Sequence, residues 1–349
     1  MASTKIEWTR GDDGTPGKVW NPVKGCEPVS EGCRNCYASR FAHRFSGPGQ
    51  KYEGLTRLTK SGPKWNGEVR LVPEMLEAPL RWKKPRRIFV NSMSDLFHKD
   101  VSNEFIAAVF GVMAVCPQHT FQLLTKRPER MLEWEKWLCA ETNGHPPVKC
   151  LQIASRLVGR DLGAVWKSMM VPGQWLHPQG PWPLKNVWHG VSAEDQKTAD
   201  ERIPVLLEVL SEVPWVSIEP MLGPIDMKPY LVPSHHRIQW IVCGGESGYG
   251  ARPMNPDWVR SIRDQCQEAK VPFLMKQWGA WKPHSGTEKV AHDITIDLPP
   301  PSPAQTYTAS IEGQEYIFVG HEWGWTRKVS KKEGGRELDG RIWNEYPQV

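Results

Sequence analysis

The sequence predicts an α/β fold built on a parallel β-sheet. Two observations predict it: short apolar runs rich in β-branched residues alternate with helical patterns, and polar residues directly follow the apolar runs. Near-continuous apolar runs are typical of strands covered on both faces. Repeated strand-then-helix units form either an open doubly wound sheet or a closed or partial (β/α) barrel. Polar residues after so many strands favour the barrel, because all its strand ends converge on one mouth, whereas a doubly wound sheet uses mainly its switch point.

The repeated units follow one another through the middle of the chain. In order, the patterns predict a strand at 87–91 and a helix at 103–115, a strand at 120–124 and a helix at 128–137, a strand at 186–190 and a helix ending at 210, a strand at 215–218, a strand at 238–242 and a helix at 257–269, and a strand at 271–275. A further helical pattern begins at Cys36 and runs through Phe45.

Two regions interrupt this repeat. Residues from about 140 to 185 form a long insertion that contains Pro and Trp, and we expect a partly helical lid there. Beyond residue 281 the chain becomes loop-like, with a Pro-rich stretch at 298–303 and then short alternating runs. We therefore predict a barrel over 1–280, with the insertion at about 140–185, and a small β appendage over 281–349.

Composition sets limits on the environment and the partners. The chain is 39% hydrophobic and 24% charged, with a net charge of +5, which allows a polyanionic partner without requiring one. No run approaches the roughly 20 apolar residues of a spanning helix, so we expect a cytoplasmic protein without a membrane partner. Its eight cysteines would then be reduced thiols rather than a disulfide framework. Of the 18 Trp residues, we expect a few to line a site that stacks on a planar ligand or base.

Three cysteines near the N-terminus are the strongest chemical signal. Cys26, Cys33 and Cys36 lie within eleven residues, and glycine precedes the first two, which lets the backbone bend around an ion or cluster. Three thiolates suit zinc or an iron–sulfur cluster, and the helix that follows favours thiolate charge. A structural zinc site normally closes with a fourth ligand, which would be His43, at a plausible spacing, or a distant Cys or His. A three-cysteine cluster instead leaves one iron open. Accidental clustering is the remaining alternative.

A loop with three cysteines after the first strand of a (β/α) barrel resembles the radical S-adenosylmethionine superfamily. Two residues separate Cys33 from Cys36, as in that superfamily, while six separate Cys26 from Cys33. The resemblance implies a partial (β/α) barrel of the radical SAM type. It also implies a [4Fe-4S] cluster on the three cysteines, whose open iron is chelated by the amino and carboxylate groups of S-adenosylmethionine.

The whole chain resembles more closely a phage- and prophage-borne three-cysteine family of uncharacterised proteins, similar in appearance to radical S-adenosylmethionine enzymes. This resemblance covers nearly the full length except the insertion. The residues that carry it are Trp20-Asn21-Pro22, the three cysteines with Tyr37, Asn91 to Phe97, Leu124 to Pro128, Gly190 to Ser192, Ser217 to Pro220, Gly244 to Gly248 and Lys276 to Gly279.

The superfamily resemblance also implies cofactor contacts at the strand ends. Asn91, Ser92 and Asp95 follow the second barrel strand, where such barrels bind the methionine amino group. Ser192 and Glu194 follow the fourth, a place used for ribose and carboxylate contacts.

Further candidates lie on the other strand ends. Lys126 is a charged donor for the cofactor carboxylate. Gly244, Gly245 and Glu246 lie in a glycine-rich turn that lacks the Walker lysine and the dinucleotide spacing, so we expect a tight strand-to-helix turn with its backbone near the adenosine.

The candidate catalytic residues are Glu219, Lys276 and Tyr37. Glu219 ends an otherwise apolar strand, so its carboxylate is either a mouth residue or the salt-bridge partner of Lys126 or Lys276. Tyr37 directly follows the third cysteine.

The resemblance implies an enzyme that generates a 5′-deoxyadenosyl radical, with an electron from a reductant such as flavodoxin or ferredoxin. Mild basicity and many aromatic residues point to a nucleic-acid base or nucleotide as the substrate. The alternative is a non-catalytic zinc-binding protein that binds nucleic acid.

Overall fold

The computed structural model describes residues 3–142, 146–169, 182–233, 236–284, 287–291, 294–311, 314–322 and 324–348. The strands are, in chain order, β1 (Lys18–Trp20), β2 (Val23–Lys24), β3 (Thr56–Thr59), β4 (Gly62–Trp65), β5 (Arg70–Leu71), β6 (Arg87–Val90), β7 (Thr120–Thr125), β8 (Val187–Ser192), β9 (Val213–Ile218), β10 (Trp240–Gly244), β11 (Phe273–Gln277), β12 (Trp281–His284), β13 (Thr287–Ala291), β14 (Ile294–Asp297), β15 (Thr306–Ile311), β16 (Gln314–His321), β17 (Gly324–Lys328), β18 (Glu337–Leu338) and β19 (Arg341–Ile342).

The helices begin with α1, which follows the cysteine-bearing loop. In chain order they are α1 (Tyr37–His43), α2 (Asn103–Ala114), α3 (Pro128–Thr142), α4 (Pro146–Val158), α5 (Leu162–Met169), α6 (Gln196–Glu208), α7 (Lys228–Leu231), α8 (Pro256–Ala269) and α9 (Lys331–Gly334). None of the helices among the described residues is both long and apolar enough to span a lipid bilayer.

Seven parallel strands form the central sheet in the order β1-β6-β7-β8-β9-β10-β11. Each strand pairs with the next barrel strand along the chain, so the sheet curls as a half-barrel without a switch point. The predicted partial (β/α) barrel is thereby confirmed. All the strand-to-helix units predicted between residues 87 and 275 are present, with ends that differ by a few residues.

Side chains of the central strands alternate between two hydrophobic clusters, because successive residues of a strand point to opposite faces. On one face, residues such as Ile88, Phe121 and Ile241 pack with the helices in the main core. On the other, Trp188, Trp215 and Trp240 join a separate cluster, whose members are Trp8, Phe89, Trp188, Val213, Trp215, Trp240, Val242 and Leu274. Several of the many Trp residues therefore fill the inner face of the half-barrel.

Gly190 shows how tightly this inner face is packed. A Cβ atom on Gly190 would lie 2.3 Å from Cε2 of the Trp215 indole on the neighbouring strand. The indole therefore occupies the space that any side chain at position 190 would need.

The described part of the insertion is helical. It comprises the end of α3, then α4 and α5, while residues 143–145 and 170–181 lie outside the described residues. α4 packs closely on α2, since a Cβ on Gly111 would lie 2.3 Å from the Cys150 carbonyl oxygen. This contact lies on the helix-covered side of the sheet, so the described part does not form the lid that the sequence suggested.

The C-terminal region contains the predicted β structure. β12, β17, β16 and β15 form a four-stranded antiparallel sheet in that order, and β13 pairs with β14. The chain then returns to the barrel, where the Met275 amide donates to the Trp343 carbonyl (3.1 Å) and Trp240 Nε1 donates to the Glu345 carbonyl (2.9 Å). The last residues therefore pack on the barrel rather than on the appendage.

Candidate functional site

One cavity of about 380 Å³ lies at the carboxyl ends of the central strands. Its wall includes residues from the ends of β6 to β11 and from the loop between β2 and α1. Of the residues singled out in the sequence, those that line it are Cys26, Cys33, Cys36, Tyr37, Asn91, Ser92, Asp95, Lys126, Ser192, Glu219, Gly245, Glu246 and Lys276. Parallel strands bring their carboxyl ends to one edge, which explains how residues distant in sequence meet here.

The cysteine-bearing loop bends where glycine precedes a cysteine. Gly25 has φ +88°, and a Cβ there would lie 2.2 Å from the Glu68 carbonyl oxygen. A Cβ on Gly32 would lie 2.3 Å from Glu194 Oε1. Both glycines are therefore needed for close approach of the loop to its neighbours, and the loop ends with Cys36 at the N-cap of α1.

Arg127 holds the first part of this loop against the barrel. Its Nη2 donates to the Glu27 carbonyl (2.8 Å) and its Nη1 to Asp95 Oδ2 (2.9 Å), while Nη1 lies 4.0 Å from Cys26 Sγ. Asp95 also accepts from Thr125 Oγ1 (2.7 Å). Asp95 therefore fixes the guanidinium that holds the loop, in addition to lining the cavity.

Lys126 and Glu194 hold the second part of the loop. The Lys126 ammonium pairs with Glu194 Oε1, which also accepts from Ser30 Oγ (2.9 Å). Glu194 Oε2 pairs with Arg202 Nη1 at 3.1 Å. Glu194 is buried behind the wall and is not among the cavity-lining residues, unlike the cofactor contact that the resemblance implied. Gly244 does not line the cavity either, and a Cβ there would lie 2.7 Å from the carboxylate of Glu219.

The three thiols differ in acidity. Burial raises the pKa of Cys26 to about 12 and also raises the pKa of Cys36. Burial acts the same way on Cys33, but the Lys126 ammonium and hydrogen bonds from the residues before it outweigh burial and lower the pKa of Cys33. Burial lowers the pKa of Lys126 to about 8, although nearby thiolates act in the opposite direction.

The donor set fits a three-thiolate group better than a closed zinc site. His43 Nδ1 lies 3.0 Å from Thr56 Oγ1, and His43 is not part of the cavity wall. Within the described ranges no three His, Cys, Asp or Glu side chains are already grouped as an ion requires, so the thiols must approach one another to share a ligand. Three thiols that face one cavity and lack a fourth protein ligand suit a cluster with one open iron.

Asn91 presents an unpaired polar group to the same cavity. It has φ +64°, a conformation that asparagine tolerates better than most residues, and its side chain is 2% exposed. Neither Oδ1 nor Nδ2 has a hydrogen-bond partner among the residues that the structure describes. Buried amides are normally paired, so this orphaned group favours a polar ligand in the cavity.

Glu219 lies at the mouth of the barrel and also forms an ion pair, so its two proposed places are compatible. It lines the cavity and pairs with Lys276, whose Nζ lies 2.8 Å from Oε1. Ser217 Oγ donates to Glu219 Oε2 at 3.2 Å. The alternative partner, Lys126, pairs with Glu194 instead.

The loop after β10 closes another side of the cavity. A Cβ on Gly245 would lie 2.1 Å from the Trp278 carbonyl oxygen, so this glycine allows a close approach to that backbone. The tight strand-to-helix turn that we expected there is absent, because residues 245–255 form a longer connection between β10 and α8. Glu246 Oε1 pairs with Arg252 Nη2 (2.8 Å), and Glu246 Oε2 accepts from Asn35 Nδ2 (2.9 Å). Tyr37, also on the wall, donates from Oη to the Ser92 carbonyl at 3.1 Å.

A family model matches residues 3–347 of this chain. The chain belongs to the family described as "Protein of unknown function (DUF5131)". No curated protein matches the sequence. Among solved structures the chain is similar to a spore photoproduct lyase complexed with dinucleoside spore photoproduct, at 7% identity and a TM-score of 0.35, over 95% of this chain and 72% of that one. A likeness this distant carries no argument about the reaction, and the resemblance to a phage- and prophage-borne family stays a prediction.

Several residues of the site were missed in the sequence. Asn21 Oδ1 accepts from the Met93 amide (3.1 Å), and Arg252 Nη2 donates to the Glu31 carbonyl (3.0 Å). The sequence patterns did not identify Arg127 and Asn35 as site residues either. Asn21 and Arg127 lie inside the segments that carry the family resemblance. No signal in the sequence singles out Arg252, because its partner Glu246 is six residues away in a loop.

Proposed function

We propose that this chain is a radical S-adenosylmethionine enzyme in which Cys26, Cys33 and Cys36 hold a [4Fe-4S] cluster. The observation that carries the proposal is that three thiols of one loop line the same cavity as the polar carboxyl ends of six parallel strands. Neither a structural zinc site nor a buried thiol requires such a cavity.

The wall of the cavity suits both cofactors. Three thiolates leave one iron for S-adenosylmethionine, and the unpaired amide of Asn91 with Ser92 and Ser192 supplies polar partners for it. Lys126 places a positive charge beside the thiols, where it favours the carboxylate of S-adenosylmethionine. When bound, the two cofactors supply one-electron cleavage of a carbon–sulfur bond, which gives methionine and a 5′-deoxyadenosyl radical.

The chain's own residues bind and orient the cofactors and the substrate, and they exclude water from the cavity. Arg127 and Lys126 fix the cysteine-bearing loop on the barrel. Glu219 and Lys276 form an ion pair on another part of the wall, where they orient the substrate and hold its polar groups. Tyr37 lies at the exposed edge, with its hydroxyl held by Ser92.

The substrate that this wall favours is a nucleic-acid base or nucleotide. Trp8, Phe89 and Trp65 supply aromatic surface to the cavity, and planar heterocycles stack on such surface. A reductant such as flavodoxin or ferredoxin would supply the electron.

The test is cleavage of S-adenosylmethionine by protein reconstituted anaerobically with iron and sulfide, with dithionite as the reductant. We expect 5′-deoxyadenosine from the unchanged chain and none from Cys33→Ala. Cys139→Ala is the matched control, since Cys139 is a free thiol on α3 outside the cavity wall, and it should retain full cleavage. Cleavage that survives in Cys33→Ala would show that the cysteine assignment is wrong.

A further inference from the structure

A row of exposed aromatic side chains runs along α1 and the turn that follows it. Tyr37, Phe41 and Phe45 are spaced four residues apart and are 53%, 46% and 43% exposed. The rings of Phe41 and Phe45 are 5.2 Å apart between centroids. Residues four apart on a helix share one face, so the three rings form a single exposed stripe.

Positive charge is concentrated around this stripe. Residues 34–70, which include α1 and the β3–β4 hairpin, carry eight Lys and Arg residues and two Glu residues, so this short segment is more positive than the whole chain, whose net charge is +5. Arg44, Arg57 and Lys60 are exposed. Across the part of the chain that the structure describes, these three and Arg40 form no ion pair, whereas the cations of the cavity wall are all paired.

The same surface is continuous with the cavity. Tyr37 from α1 and Trp65 from β4 both line the cavity wall. Tyr249, which is 84% exposed, lies against α1, with the Arg40 guanidinium 5.6 Å from its ring centroid. We call the exposed residues of α1 and the hairpin, together with Tyr249, the α1–hairpin face.

We infer that the α1–hairpin face docks a single-stranded nucleic acid and delivers one of its bases to the cavity. Unpaired cations bind phosphates, and exposed rings stack on bases whose faces are free only in a single strand. The concentration of positive charge on one short segment selects a polyanion, and the aromatic stripe selects one with planar groups. This inference rests on the proposed function for the reaction, but the docking itself needs no cofactor.

The experiment measures binding of a fluorescein-labelled single-stranded oligonucleotide of mixed sequence by anisotropy, across a series of salt concentrations. Phe41→Ala/Phe45→Ala should weaken binding about fivefold or more for each ring. Arg44→Gln/Arg57→Gln should reduce the slope of log K against log salt by about 1.4, because each lost phosphate contact removes roughly 0.7 for a single strand. The control Lys83→Gln/Lys84→Gln removes equal charge from an exposed loop before β6, at the other end of the strands, and should leave the slope unchanged.

Several results would overturn the inference. Equal losses in the control and in Arg44→Gln/Arg57→Gln would show that binding follows net charge alone. Tighter binding of the same oligonucleotide as a duplex would contradict the role of the aromatic stripe. The protein could instead bind mixed vesicles of phosphatidylserine and phosphatidylcholine as tightly as the oligonucleotide. If the same variants lost that binding, the face would be a lipid-binding surface.

The two proposals fail separately. The substituted side chains are exposed, so thermal melting should be unchanged, and protein without iron serves for the binding assay. Oligonucleotide binding without cluster formation would leave the α1–hairpin face standing and remove the radical reaction. A chain that forms the cluster but binds no oligonucleotide would remove the docking surface alone.

Discussion

Replacing Arg127 by Ala tests how the cysteine-bearing loop is held. The guanidinium is the connection between Asp95 on the barrel and the Glu27 carbonyl on the loop. The Arg127 and Asp95 side chains are only 13% and 7% exposed, so this ion pair belongs to the buried class. Removing one partner of such a pair leaves a buried charge without compensation.

The expected loss in the free energy of unfolding is about 3 kcal/mol, the low end for a broken buried pair. The low end applies because Asp95 keeps hydrogen bonds from Thr125 Oγ1 (2.7 Å) and from the Phe97 amide (3.0 Å). Arg127→Lys keeps the charge but cannot donate to both Asp95 and the Glu27 carbonyl as the guanidinium does. We therefore expect a loss of about 1 kcal/mol in the free energy of unfolding.

The assay is urea unfolding of the metal-free protein at neutral pH, followed by circular dichroism. Arg130→Ala is the matched control, because Arg130 is also partly buried, has no carboxylate partner in the described structure, and donates to Asn103 Oδ1 at 2.6 Å. We expect Arg130→Ala to cost about 1 kcal/mol. Equal losses for Arg127→Ala and Arg130→Ala would refute the reasoning, since the buried pair would then contribute nothing of its own.

Three further predictions concern the barrel and its mouth. Gly190→Ala should lower the free energy of unfolding by about 1–3 kcal/mol in urea titrations, because the new methyl group would overlap the Trp215 indole. Burial lowers the pKa of His189 to about 4, so as the pH falls the unfolded chain protonates this histidine before the folded chain does. Stability should therefore fall by at most about 3 kcal/mol between pH 6.5 and 4, and His189→Gln should flatten this part of the pH profile. Lys276→Met should destabilise the chain by about 2 kcal/mol because Glu219 then loses its cation, and Glu219→Gln/Lys276→Met should recover most of that loss.

Each of these predictions has a clear contrary outcome. An unchanged urea midpoint for Gly190→Ala would mean that the inner face is loosely packed. A pH profile that is the same with and without His189 would remove its role in acid sensitivity. Additive losses in the Glu219→Gln/Lys276→Met double variant would show that the two side chains do not interact.

The order of strands and helices could be predicted because each central strand is buried on both faces, so its residues form a continuous apolar run. Polar residues at the ends of these runs then identified most of the cavity wall. Glu194 could not be placed, because its position depends on Arg202, eight residues further on in α6, and on the loop serine Ser30.

The Trp residues show a second limit. Their number suggested stacking on a planar ligand, but composition does not reveal which face of a strand a residue occupies. Trp188, Trp215 and Trp240 pack inside the half-barrel, Trp65 contributes to the cavity, and Trp8 does both. The return of the last residues to β11 is also beyond a sequence pattern, since it depends on backbone hydrogen bonds such as that from Met275 to Trp343.

The most direct test of the central claim is metal analysis of protein purified without oxygen. The account predicts about four irons per chain, a brown colour bleached by dithionite, and loss of iron in Cys26→Ala, Cys33→Ala and Cys36→Ala but not in Cys139→Ala. A colourless protein with one tightly bound zinc would contradict it, whether or not the zinc is retained when one of the three thiols is removed.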